Sequence, residues 1–193
     1  IYSLTLLNEF LSYFEGDGNI PSIHVKIESG MNRLGFIEPE LDQLDKLLSK
    51  NENLKVKSIF SHLAGSENPI HDDYTENQAN TFNKLADKIS NSLGHQPMRH
   101  IANTGGISRF PKYHFDMVRL GIGLYGIDPT ELEQESLKPA ATLKSTISQI
   151  KNIVKGDTVG YSRKGVASKD MKIATIPIGY ADGYLRAFSN GNG

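Results

Sequence analysis

Cysteine is absent from the 193-residue chain. That excludes structural disulfides, thiolate-bound metal and a thiol nucleophile, and it fits a reducing, cytoplasmic setting. No apolar run reaches the roughly 18 residues of a membrane span, and the opening Ile-Tyr-Ser-Leu-Thr-Leu-Leu lacks the basic region of a secretory leader. Net charge is nearly absent too. Lys and Arg total 21 against 22 Asp and Glu, a formal −1, which favours neither nucleic acid nor an anionic membrane as partner. There is no initiator methionine, and the closing Ser-Asn-Gly-Asn-Gly falls where no domain need stop, so a piece of a longer polypeptide is expected.

What is present is a globular composition, 38% hydrophobic and 22% charged, enough for one domain or parts of two. Apolar runs rich in β-formers, 23–27, 54–60, 98–102 and 117–125, read as strands. Between the first two, Pro39 opens a helix with Leu41, Leu44, Leu47 and Leu48 on one face. Between the second and third, Asp72 or Asp73 caps a helix with a Phe82, Leu85, Ala86, Ile89 and Leu93 stripe, and Gly94 closes it. Repeated strand-helix-strand units imply parallel strands, hence an α/β fold.

After Pro129 the period changes. Glu131, Glu133 and Glu135 mark a solvated connector, and alternating segments at 142–150 and 171–178 flank a turn at Lys155-Gly156-Asp157. The expected organisation is an α/β domain over 1–130, a connector over 131–138 and the start of a β-rich domain over 139–193.

Several residues point to chemistry. Tyr180 stands in Ile-Pro-Ile-Gly-Tyr-Ala-Asp-Gly-Tyr, between glycines where a strand runs out; a phenol there either packs on a turn or exchanges a proton. Gly121-Ile122-Gly123-Leu124-Tyr125-Gly126 matches the dinucleotide fingerprint, yet it lies in a strand run followed by Asp128-Pro129 and opens no helix, which argues against a nucleotide-binding domain. Its glycines still permit a phosphate to approach backbone N–H groups. His62 ends a strand and is a ligand, a base or a core histidine. His71, Asp72 and Asp73 are neighbours at a helix start, where capping explains them better than metal binding. Lys26 and Arg119 sit in apolar strands, where a charge needs a partner, and Arg33 follows Lys26 by seven residues.

Five segments then carry a resemblance: Lys26-Ile27-Glu28-Ser29-Gly30-Met31-Asn32-Arg33-Leu34-Gly35-Phe36, Ser61-His62, Ala102-Asn103-Thr104, Val118-Arg119-Leu120-Gly121-Ile122 through Gly126, and Gly179-Tyr180-Ala181-Asp182-Gly183. In this order they resemble alanine racemase, a fold-type III pyridoxal-phosphate family. The resemblance implies the later part of a (β/α)8 barrel, then the start of a β-rich C-terminal domain, and a homodimer acting on alanine to supply D-alanine for peptidoglycan. Barrel sites lie at the C-terminal strand ends, where His62, Asn103 and the Gly121 segment fall.

By that resemblance Tyr180 is the acid/base on one face of the substrate Cα, acting in the partner subunit's site. Arg119 contacts the pyridine nitrogen and His62 links it toward the tyrosine. Asn103, Thr104, Gly121 and Ile122 belong to the cofactor site, with Thr104 replacing the usual serine at the phosphate. Lys26 matches a lysine often carbamylated, whose anion orients Arg33 toward the substrate. Glu28 stands for the commoner aspartate and Asn32 at a variable position; neither is expected to touch the chemistry. Racemisation needs a proton removed from one face and returned to the other, hence two acid/base groups. The family's Schiff-base lysine, the second of these, has no counterpart in this chain, nor does the later substrate-gate segment. The chain alone is therefore expected to be inactive, its longer polypeptide extending at both ends. Alternatives of other kinds are a non-racemising cofactor-homeostasis protein and a racemase of another small amino acid such as serine.

Overall fold

In the computed structural model, which describes residues 1–16 and 19–188, the chain forms two compact units, Ile1–Ala140 and Ala141–Gly193. The first is built from β/α units: α1 (Leu4–Tyr13), β1 (Ile23–Lys26), α2 (Leu41–Ser49), β2 (Val56–Phe60), α3 (Asp72–Leu93), β3 (Met98–His100) and the short α4 (Thr104–Arg109). The strands form a parallel sheet in the order β1-β2-β3, with Lys26 opposite Phe60 and Phe60 opposite His100. Parallel strands need crossover connections, and α2 and α3 supply them. Ile1 lies along the free edge of β1, its carbonyl accepting from Lys26 N–H at 2.9 Å and its amino group donating to the His24 carbonyl at 2.8 Å.

Side chains alternate across the pleat and give the sheet two unlike faces. Val25 and Ile59 turn toward the helices and are fully buried, with Leu41, Leu44, Leu48, Phe82, Leu85, Ala86 and Ile89 from α2 and α3 closing the core over them. Each such Leu or Phe contributes about 1.5–3 kcal/mol by leaving water. The opposite face carries His24, Lys26, Ser58, Phe60 and His100. A run of polar groups on a sheet face is costly unless the groups bond one another.

Two helix boundaries differ from expectation. Pro39 falls in a 3-10 turn, Glu38–Glu40, that leads into α2, and neither Asp72 nor Asp73 caps α3. Asn68 instead accepts from Ile70 N–H at 3.1 Å ahead of the helix, while the Asp72 carboxylate takes Arg109 Nη2 at 2.8 Å. Gly94 ends α3 in the left-handed region at φ 68°, as a C-terminal glycine does.

The 117–125 segment is not the expected strand. It follows β3 through Asp116 N–H to Arg99 O, 3.1 Å, and Arg119 N–H to Ala102 O, 3.0 Å, then coils into a 3-10 turn, Ile122–Tyr125. The Thr104 hydroxyl takes the N–H groups of Gly121 and Gly123, at 3.0 and 3.3 Å, so these donors never join a ladder. No dinucleotide-type helix follows the glycines.

The second unit is β-structured. β4 (Gln149–Ile153) pairs antiparallel with β7 (Met171–Thr175), and β5 (Thr158–Val159) with β6 (Gly165–Val166). The turn at 155–157 is closed by Asp157, whose N–H donates to Val154 O at 3.0 Å and whose carboxylate accepts from Val154 N–H at 2.9 Å. Regular pairing begins only at Gln149, and β7 stops at Thr175, short of the expected 178, because Pro177 has no N–H to donate.

Candidate active site

The C-terminal strand ends of the first unit open onto a cleft of ≈ 440 Å³ lined by His62, Glu67, Asn103, Thr104, Gly105, Arg119, Leu120, Gly121, Ile122 and Pro129. Arg119 is its organising side chain. Nη1 donates to His100 Nδ1 at 2.5 Å and to the His100 carbonyl at 3.2 Å; Nη2 donates to the Ser61 carbonyl at 2.6 Å and to His62 Nδ1 at 3.1 Å. The four Nη hydrogens are thus occupied by neutral acceptors, and among the described residues Nε–H has no acceptor.

Those bonds settle the histidine tautomers. Arginine only donates, so Nδ1 accepts in both rings and each proton sits on Nε2. Burial, then the positive charge of Arg119, Lys26 and Arg33, lowers the His62 pKa to about 4. Burial, then Arg119 and His24, does the same for His100, also to about 4. Both rings are neutral at neutral pH.

Lys26, only 8% exposed, shares the Phe60 ring with Arg119; Nζ of one and the guanidinium carbon of the other lie 5.4 Å from its centroid. Burial, with Arg33 and Arg119 adding to it, lowers the Lys26 pKa against the opposing pull of Glu28. Among the described residues no carboxylate pairs within 4.0 Å of Lys26, Arg33 or Arg119, and the cleft lining itself carries one cation, Arg119, and one carboxylate, Glu67.

Arg33 stands exposed on the loop after β1. Glu28, set aside in the sequence, organises that loop: its carboxylate accepts from Gly30 N–H at 2.5 Å and Arg33 N–H at 3.2 Å. Burial works to raise the Glu28 pKa, but bonds from the N–H groups of Asn32, Gly30, Arg33 and Met31 outweigh it and hold it low. Gly35 closes the loop at φ 130°, where an added Cβ would lie 2.5 Å from Glu28 N.

Asn103 caps α4, accepting from Gly106 N–H at 2.9 Å and Ser66 Oγ–H at 2.6 Å while donating to the Leu63 carbonyl at 3.2 Å. Its amide is engaged in structure although it lines the cleft. Thr104 Oγ1 accepts from Gly121 and Gly123 N–H, which leaves its hydroxyl proton as the donor it can offer.

The fold therefore gathers His62, Asn103, Thr104, Arg119, Gly121 and Ile122 at one cleft with Lys26 behind Arg119. Tyr180 belongs to the second unit, in the 3-10 turn Tyr180–Asp182, and is 66% exposed. Asp182 fixes that turn by accepting from Gly179 N–H at 2.9 Å. Sequence reasoning missed His100, Ser58 and His24; their spacing of two from Lys26 and Phe60, or from one strand to the next, was the available sign that they share a face.

Family models match along the chain: "Alanine racemase, N-terminal domain" over residues 1–129 and "Alanine racemase, C-terminal domain" over 140–193. The alanine racemase of Methanococcus maripaludis is 35% identical over 197 residues, covering 100% of this chain and 52% of that protein. Among solved structures, alanine racemase of Clostridium difficile 630 matches with a TM-score of 0.82 at 34% identity, covering 96% of this chain and 49% of that one. Alanine racemase from Bartonella henselae with covalently bound pyridoxal phosphate matches at 0.79 and 29% identity, covering 96% and 50%. The fold is that of these proteins, barrel strands followed by a β-rich domain, and the chain spans about half their length.

Proposed function

Because the chain belongs to the alanine racemase family, we propose that the full-length protein interconverts L- and D-alanine, with pyridoxal 5'-phosphate held in the cleft beside Arg119. The observation that carries this reading is the Arg119 clamp: a half-buried guanidinium fixed by neutral acceptors, with Nε–H unpaired, in a cleft that also presents the Thr104 hydroxyl. Such a donor set fits an anionic cofactor with a ring nitrogen. When bound, that cofactor supplies the electron sink that acidifies a substrate Cα–H.

The residues have distinct tasks. Arg119, through the free Nε–H, would hold the ring nitrogen and keep its proton, since guanidinium does not yield one at working pH. Thr104 would offer its hydroxyl proton to the phosphate and Ile122 its backbone N–H, whereas the Gly121 N–H expected there is already given to Thr104 Oγ1. His62, with Nδ1 engaged, presents Nε2–H at its far end. Tyr180 carries the proton on one Cα face, from the partner subunit of a homodimer; a lysine outside this chain serves the other face.

Lys26 fits carbamylation. Its lowered pKa raises the share of neutral amine, whose lone pair attacks the carbon of CO2; an N–C bond forms as one C=O π bond opens onto oxygen and the amine proton leaves to solvent, turning a repelling cation into an anion beside Arg33 and Arg119. The product role, D-alanine for peptidoglycan made in the cytoplasm, follows from the same reading.

The test is expression of the full-length polypeptide with pyridoxal phosphate. Expected results are cofactor absorbance, loss of optical rotation from L-alanine, a dimeric mass, and a borohydride-trapped adduct on a lysine outside residues 1–193. Cofactor binding without racemisation of alanine would favour the homeostasis class, and faster turnover of serine would change the substrate.

A further inference from the structure

Behind Arg119 the polar sheet face carries a chain of side chains for which the proposed chemistry has no use. His100 Nδ1 lies 2.5 Å from Arg119 Nη1, His100 Nε2 lies 2.9 Å from Ser58 Oγ, and Ser58 Oγ lies 2.5 Å from His24 Nδ1. Each strand contributes one member: β1 gives His24, β2 Ser58 and β3 His100.

The direction of every bond follows from the first. Arg119 can only donate, so His100 Nδ1 accepts and Nε2 bears the proton. His100 Nε2–H therefore donates to Ser58 Oγ, and the Ser58 hydroxyl proton goes to His24 Nδ1. The opposite tautomer of His100 would set N–H against N–H at Arg119. Ring rotation is opposed as well: His100 is 4% exposed, Ser58 is fully buried, and the imidazole stacks on Phe60 with centroids 5.0 Å apart and planes 7° from parallel.

The geometry points to His100 as a positioning residue for Arg119: the guanidinium at Nδ1 and Ser58, backed by His24, at Nε2 together fix its tautomer, and the fixed ring holds Nη1 so that Nε–H is the donor left to the cleft. The inference rests on the reading that the cleft receives the cofactor ring. Groups that orient a ligand-contacting residue typically matter by about 10–100-fold when removed.

The tautomer is read directly in the full-length, cofactor-free protein labelled with [15N]histidine, by two-bond 1H–15N correlation. His100 should show a neutral ring protonated on Nε2 across neutral pH; an Nδ1-protonated or exchanging ring overturns the proposal. Ser58→Ala in the loaded enzyme should mix the His100 tautomers, lower kcat about 10-fold and leave KM for alanine within about twofold. Ser58→Thr restores the hydroxyl and should recover most of kcat. Equal losses in the Ala and Thr variants would assign Ser58 to packing alone, and a Ser58→Ala enzyme with normal kcat and a single tautomer would likewise remove the lock. Failure of the racemase reading looks different, since wild-type protein would then lack racemisation while the tautomer measurement in cofactor-free protein still stands.

Discussion

Arg119 donates through Nη2 to His62 Nδ1 across 3.1 Å, and this bond makes the histidine a neutral acceptor on one side and a donor on the other. A proton on Nδ1 would put a second positive charge against the guanidinium, which is why burial and Arg119 together hold the ring near 4.

That arrangement gives a pH signature. Above the ordinary histidine pKa of 6.5, folded and unfolded chains both carry neutral His62 and His100, and stability does not respond to them. Between 6.5 and about 4 the unfolded chain binds protons that the folded one refuses, so stability declines as pH falls, and the loss is complete below about 4. Thermal melts of the full-length protein from pH 7.5 to 4.5 should show a falling Tm, shallower in His62→Gln. A His62→Gln profile parallel to wild type would contradict the assignment.

Replacing Arg119 by Lys keeps one charge and removes the fork. The ammonium cannot serve Ser61 O, His62 and His100 at once, so buried acceptors lose partners at about 1–3 kcal/mol. Racemisation and cofactor affinity should both drop, read by titration and by optical rotation. Unchanged cofactor affinity would mean the ring nitrogen is held elsewhere.

Tyr180→Phe removes only a hydroxyl from an exposed side chain, so the melt should move by less than about 0.5 kcal/mol. Turnover in both directions should fall together by about 10²-fold or more, because each needs both Cα faces. Near-normal rates in a folded variant would take the phenol out of the mechanism.

Glu28→Gln tests the loop that carries Arg33. The amide loses the charge that gathers Gly30 and Arg33 N–H, so KM for alanine should rise several-fold with a smaller change in kcat. Gly35→Ala is the harsher change: a Cβ 2.5 Å from Glu28 N, at positive φ, should cost more than about 2 kcal/mol in a denaturant titration. A loop tolerant of both would not be what positions Arg33.

The sequence made some of this legible and hid the rest for identifiable reasons. β1, β2 and β3 showed as apolar β-rich runs, and the stripes of α2 and α3 showed as period-3.6 patterns, because burial imposes both. The 117–125 segment looked like a strand by hydrophobicity, but its fate turned on a side-chain hydroxyl, Thr104, that captures two backbone N–H groups from afar. Lys26, His62 and Arg119 were visible as charged or titratable residues out of place. His100 and Ser58 were not, because a polar residue within a short strand announces nothing until the neighbouring strands bring its partners alongside. Glu28 was passed over since its work is done on backbone N–H groups, which the sequence does not display.

The occupied Nη hydrogens of Arg119 also bear on affinity. A free arginine side chain carries about 2 kcal/mol of rotamer freedom that a ligand must extinguish on binding. Here folding has already extinguished it, so a ring nitrogen meeting Nε–H, as proposed, would incur little further ordering cost. Calorimetry of cofactor binding should accordingly show a smaller unfavourable entropy in the wild-type protein than in any variant that loosens the clamp, even where the contact atoms are unchanged.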